Sequence, residues 1–126
     1  LLFDISANTN ETVFAAALDA VGPRRLLFGS DLPITRMRMR RVCEDGRYVN
    51  LVPPGAYGDI SDDPNMREVP AEDAERLTFF FYEEIDAFRR AADSRGLGAA
   101  EVRDVFHDNA ARILATARAH YPADPA

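Results

Sequence analysis

Over Leu1–Ser6 the chain alternates: Leu1, Phe3 and Ile5 fall on one face and Leu2, Asp4 and Ser6 on the other, the period of a β-strand. The period then changes. Val13, Phe14, Ala17, Leu18 and Val21 recur at helical spacing, Asn8 and Glu11 stand at the spacing of a capping box, and Gly22-Pro23 supplies a stop. A second apolar run, Arg25–Ser30, puts Leu26 and Phe28 on one face and Leu27, Gly29 and Asp31 on the other. Strand, helix and strand with short links predict a βαβ unit with parallel strands. The bulkier apolar set is expected to face helices, and Asp4, Ser6, Gly29 and Asp31 to face the axis or crevice of the sheet.

Past Pro33 the pattern is less regular. Arg36–Arg40 alternates strictly, Tyr48–Val52 is rich in strand formers, and Asp45-Gly46 between them is a hairpin signal. Pro53–Pro70, rich in Pro, Gly and Asp, predicts a long excursion or lid. Ala71–Arg95 predicts one long helix with the stripe Leu77, Phe81, Ile85, Phe88 and Ala92, widened by Phe79, Phe80 and Tyr82 and ended by Gly96. A shorter helix follows over Ala99–His107, then Asp108-Asn109 as an interruption with Asn109 capping a last helix, Ala110–Ala119; the tail from Tyr121 is expected to fray. The organisation is one partial domain over residues 1–126: a strand-helix-strand unit (1–33), a hairpin and loop insertion (34–70) and C-terminal helices (71–120).

Composition narrows the function classes. A net charge of −6 over 126 residues argues against general nucleic-acid binding. Every basic residue is arginine, which excludes a Schiff-base or P-loop lysine from this stretch. Cys43 is the single cysteine, so no intrachain disulfide forms, and a cytoplasmic location is the simplest expectation. No segment has the ~20 apolar residues of a membrane span. The chain opens in mid-strand and reads as cut from a longer one.

An acid closing a buried parallel strand stands where α/β folds place their chemistry, which singles out Asp31; the plainer alternative is a carboxylate capping a turn. The stretch Asp19–Pro33, with Gly29-Ser30-Asp31-Leu32-Pro33 at its end, resembles the last strand of amidohydrolase-related metal-dependent hydrolases, and Val105–Leu114, with Asn109-Ala110-Ala111-Arg112, is similar to the helices that close their barrel. The resemblance implies an α/β fold: the C-terminal part of a (β/α)8 TIM barrel, with its last two parallel strands, its helices and an inserted hairpin. It also implies that Asp31 serves as metal ligand and general base beside a divalent metal, usually zinc. The family's His-x-His pair and its middle-strand histidines have no counterpart here, since His107 and His120 fall in predicted helices. Zinc takes three protein ligands in a catalytic site, so the resemblance implies an enzyme in the parent protein and an inactive isolated chain.

Other residues are weaker candidates. Asn8 sits at the catalytic end, as a cap or a substrate contact. Arg36, with Arg38, Arg40 and Arg41, forms the basic cluster; Arg36 could hold a substrate carboxylate, against the simpler expectation of a solvated hairpin face neutralised by Glu44, Asp45 and the acidic loop. Tyr57 could cover a bound substrate. Asp59–Asp63 lacks the Gly and Glu of a calcium loop, His107 reads as structural, and Cys43 as a bystander. Two chemistries fit the resemblance: hydrolysis of a C–N or C–O bond, or decarboxylation of a small carboxylic acid. The expected partners are a small-molecule substrate and the remainder of the barrel, with neither nucleic acid nor membrane, and homo-oligomerisation is compatible with this. The rival from another class is a non-enzymatic α/β interaction or assembly module, supported by the broad aromatic surface of the long helix and the lack of histidines near Asp31.

Overall fold

The structure, a computed structural model, describes residues 1–121. Strand β1 (Phe3–Asp4) pairs in parallel with β2 (Leu26–Leu27), Phe3 opposite Leu26 and Asp4 opposite Leu27. Helix α1 (Glu11–Val21) joins them, so the βαβ unit is present. Both strands are shorter than their apolar runs, because Pro23–Arg25 is taken by a 3-10 turn and the backbone leaves the ladder after Leu27. Asn10, not Asn8, caps α1: its side chain accepts from the Thr12 N–H at 3.0 Å. Asn8 instead accepts from the Asn10 N–H at 3.0 Å and closes the turn before the helix. Gly22, at φ 74°, ends the helix.

The main core forms where α1 meets α3 (Phe80–Ser94) across β2. Phe14, Leu18, Leu26, Phe88, Ala91 and Val105 are all buried there, and the rings of Phe14 and Phe88 meet edge to face at 5.7 Å. Leu26 faces this core and Phe28 packs at its margin, stacked on Phe106 at 4.3 Å, as the alternation predicts.

The segment expected to be one long helix breaks. Helix α2 covers only Ala71–Ala74, and α3 begins at Phe80. Phe79 adopts an extended backbone and bridges Arg38, while the Phe80 N–H donates to the Met37 carbonyl at 2.8 Å. Tertiary hydrogen bonds to residues 37–38 therefore override the helical pattern there. The buried face of α3 is correspondingly shifted to Phe80, Glu84, Ala87, Phe88 and Ala91, away from Ile85.

The inserted hairpin is present, with β3 (Arg40–Glu44) antiparallel to β4 (Arg47–Val52) across an Asp45-Gly46 turn in which both residues have positive φ. Its first arm starts later than expected, since Ile34–Arg36 forms a 3-10 turn. Inside the predicted loop lies a further strand, β5 (Met66–Glu68), parallel to β4 and pinned by the Arg67 guanidinium on Glu44 at 2.6 and 2.8 Å. Arg36 is exposed, as a solvated face requires, but Arg38, Arg40 and Arg41 are not neutralised by Glu44 and Asp45. Arg38 donates to the Leu77 and Ala74 carbonyls, Arg40 to Glu83, and Arg41 to Asn50 and the Ala7 carbonyl. They clip the insertion to the rest of the molecule.

At the C-terminal end α4 (Ala99–Arg103) runs through a π-turn (Asp104–Asp108) directly into α5 (Asn109–His120). Asn109 is helical and buried, so it is not a cap. Its amide donates to the carbonyls of Pro23 at 2.9 Å and Leu26 at 2.7 Å, locking the helix junction to β2. Tyr121 is exposed, and the rest of the tail expected to fray lies outside the described residues. Among the described residues no helix is long and apolar enough to cross a membrane.

Candidate functional site

Asp31 follows β2 and is exposed, with φ of 46°. Left-handed backbone is costly for a residue with a side chain, and Asp and Asn tolerate it better than most. The surroundings impose it. Thr35, fully buried, donates its hydroxyl to the Ser30 carbonyl at 2.5 Å, and its N–H donates to the Asp31 carbonyl at 3.3 Å. The peptide between Leu32 and Pro33 is cis. Thr35 thus ties down the backbone on either side of Asp31, while the Asp31 carboxylate has no hydrogen-bond or ion-pair partner among the described residues. A turn-capping role for that side chain has no contact to support it.

Gly29 faces the same side as Asp4 and Ser6. A Cβ on Gly29 would come within 2.9 Å of an Asp4 carboxylate oxygen and 3.1 Å of the Ser6 Cβ, so the strands approach closely because this position is glycine. Asp4 turns back on its own strand, accepting from the Ser6 N–H at 2.7 Å and the Ser6 hydroxyl at 2.5 Å. Asn8 lies in the turn that follows. Gly29, Asp4 and Ser6 thus share one face, as the alternation predicts.

The residue missed by the sequence reading is Glu84. Its side chain is completely buried, and neither carboxylate oxygen has a hydrogen-bond partner. Burial pushes its pKa up to about 7; the negative charges of Asp4 and Asp31 add to the shift, and the nearby backbone of Asn8 and Ala7 offsets part of it without a well-formed bond. Its neighbour Glu83 has the opposite environment. Burial works to raise its pKa, but the Arg40 guanidinium at 2.7 Å and the N–H and hydroxyl of Thr78 together outweigh it and hold the carboxyl below its usual range. A signal for Glu84 existed: it falls one helical turn after Phe80 and before Phe88, on the face that packs.

The substrate candidates separate. Arg36 is exposed in a depression with Leu32, Thr35, Phe79, Phe81 and Tyr82, which Asp31 does not line. Tyr57 is elsewhere, lining a cavity between Ala7 and the insertion and donating its hydroxyl to the Arg38 carbonyl at 3.2 Å. Cys43 is exposed on β3, and His107 contacts Asp108 at 2.6 Å on the helical side; neither joins Asp31. Chemically, the turn after β2 offers an exposed carboxylate, without a partner among the described residues, that can accept a proton, and its charge and that of Asp4 both act on the buried Glu84.

No curated protein and no solved structure matches the chain. One family model does match, over residues 2–116, spanning the βαβ unit, Asp31, the insertion and the closing helices alike; the chain belongs to the amidohydrolase family.

Proposed function

We propose that this chain is the C-terminal part of a metal-dependent enzyme in which Asp31 acts on the substrate's reacting group. The family suggests hydrolase-like or decarboxylase-like chemistry. The observation that carries the reading is the state of Asp31: a carboxylate in the turn after β2, at positive φ, braced by buried Thr35 and presented to solvent with no partner among the described residues. Strain of this kind, of order 1–3 kcal/mol, gathers at functional sites.

The family typically binds divalent metals, and the residues present do not make such a centre. Among the described residues no group of three or more His, Cys, Asp and Glu side chains could hold an ion. In this reading Asp31 contributes one ligand position, zinc is the expected ion, and the remaining ligands come from outside this stretch, so the isolated chain is inactive. The residues described here have their own roles. Asp31 takes or returns a proton, Thr35 fixes its backbone, and Gly29 keeps the strand ends close. Arg36, exposed in the depression next to Leu32 and Thr35, would meet an anionic part of the substrate. Hydrolysis of a C–N or C–O bond and decarboxylation of a small carboxylic acid both use a carboxylate in this way.

The test is an activity screen of the polypeptide that carries this chain, against amides, esters and small carboxylic acids, with and without added zinc. Asp31→Asn is expected to lower the activity found by about 10²-fold or more, the scale of a lost general acid or base, with the fold intact by circular dichroism. An Asp31→Asn protein as active as the parent would overturn the reading.

A further inference from the structure

All three methionines of the protein, Met37, Met39 and Met66, line one cavity. It has a volume of about 330 Å³ and lies between the strand-end turn at Ala7 and the inserted hairpin, with Phe80 and Tyr57 among its walls. That volume is at the small end of ligand pockets. Methionine walls repack around varied shapes, which suits a pocket that admits a ligand.

Among the described residues two donors on the wall of this cavity are left open, on Arg41 and Asn50. Arg41 lines it, half-buried, with its guanidinium 4.9 Å from the Tyr48 ring centroid and 5.6 Å from that of Phe80. Nε donates to the Asn50 Oδ1 at 2.9 Å and Nη1 to the Ala7 carbonyl at 3.1 Å. Among the described residues Nη2 has no partner, and no carboxylate pairs with Arg41. The amide nitrogen of Asn50, also on the wall, is likewise unengaged. Tyr57 has its hydroxyl turned to the Arg38 carbonyl. A cation held in an otherwise apolar wall, beside a second open donor and with no counter-charge, selects a ligand that brings one.

We propose that this cavity is a binding site for a compact apolar anion, its body among the three methionines and Phe80 and its charged end on Arg41 and Asn50. The site stands apart from the Asp31 reading, because it can bind its ligand whether or not Asp31 is chemically active.

The probe is 4-isopropylbenzoate, with the neutral 4-isopropylbenzamide as its partner. The readout is the ¹³C-methyl spectrum of methionine-labelled protein, each signal assigned by a Met→Leu substitution. The expected result is saturable movement of all three methyl signals with the carboxylate and at least ten-fold weaker binding of the amide. Asn50→Asp keeps an acceptor for the Arg41 Nε and places a counter-charge beside the guanidinium, so it is expected to abolish carboxylate binding while the methyl signals stay dispersed. Absence of saturable movement in the wild-type protein overturns the proposal, as does equal binding of carboxylate and amide. Where Asn50→Asp does not fold, the wild-type comparison of carboxylate with amide decides by itself; a folded Asn50→Asp that binds the carboxylate as before also overturns it.

Discussion

The exposed carboxylate of Asp31 bears electrostatically on the buried carboxyl of Glu84. Burial is the main reason that Glu84 titrates near 7, but the charges of Asp4 and Asp31 push in the same direction. The chain thus keeps an acid under its strand ends without a partner for either oxygen, a costly arrangement when that acid is ionised.

Stability should therefore fall with pH on account of Glu84. Its folded pKa of about 7 lies above the ordinary 4.5, so the folded state holds more protons than the unfolded state between those values. The protonated form is tolerated fully below pH 4.5; stability declines from there through pH 7 and then levels off. The loss is on the order of 3 kcal/mol at most, at about 1.4 kcal/mol per pKa unit. Glu84→Gln should remove this slope and be the more stable protein at pH 8. Urea unfolding of both proteins from pH 4.5 to 8 measures it, and parallel curves would show that Glu84 does not titrate in this window.

The adjacent residue responds with the opposite sign. Glu83 is held below its ordinary pKa by Arg40 and Thr78, so its contribution is present above pH 4.5 and is lost as pH falls further. Arg40→Met should destabilise the protein by about 1–3 kcal/mol, since it strips a charge-assisted bond from a carboxylate that is nearly buried. As pH falls below 4.5 that difference should narrow, because the charged form of Glu83 is progressively lost. Denaturation midpoints of the two proteins at pH 7 and pH 3.5 check this.

Asn109 makes a prediction independent of pH. Its amide satisfies the carbonyls of Pro23 and Leu26 from inside a helix junction. Asn109→Ala leaves both acceptors without that donor and should cost about 2–4 kcal/mol. Asn109→Asp, which presents an acceptor to two carbonyls, should be worse than Ala. Thermal unfolding of the two variants ranks them, and a near-neutral Asn109→Ala would mean that water replaces the amide.

What could be read from the sequence, and what could not, divides along local and tertiary causes. The βαβ unit was legible because Gly22-Pro23 and the change of hydrophobic period are local signals. The hairpin was legible because Asp45-Gly46 suits a turn with two positive φ values. That Asp31 follows the second strand was legible, although its bracing by Thr35 was not: a threonine between Ile34 and Arg36 gives no sign of a bond back to Ser30. The break before Phe80 was hidden because its cause lies in Met37 and Arg38, far off in sequence. That error set the phase of the helix wrongly and put Ile85 where Glu84 belongs. Asn109 was read as a cap because caps are the commoner use of Asn beside a helix; its true partners are carbonyls that only the folded chain brings near.

The strain at Asp31 separates stability from function. At φ 46° a side chain beyond Cα costs energy that glycine does not incur. Asp31→Gly should therefore be more stable than Asp31→Ala by roughly 1 kcal/mol, the left-handed penalty for Ala less part of glycine's greater entropy loss. Neither variant retains a carboxylate, so under the proposed function both lose activity to a similar extent. The pair is informative because stability and activity then fail to track each other: the glycine variant is well folded and inactive. Unfolding midpoints and the activity of each variant in the polypeptide that carries this chain are the measurements. An alanine variant as stable as the glycine variant would show that Asp31 relaxes out of the left-handed region in solution, and the bracing by Thr35 would then not be what presents its carboxylate.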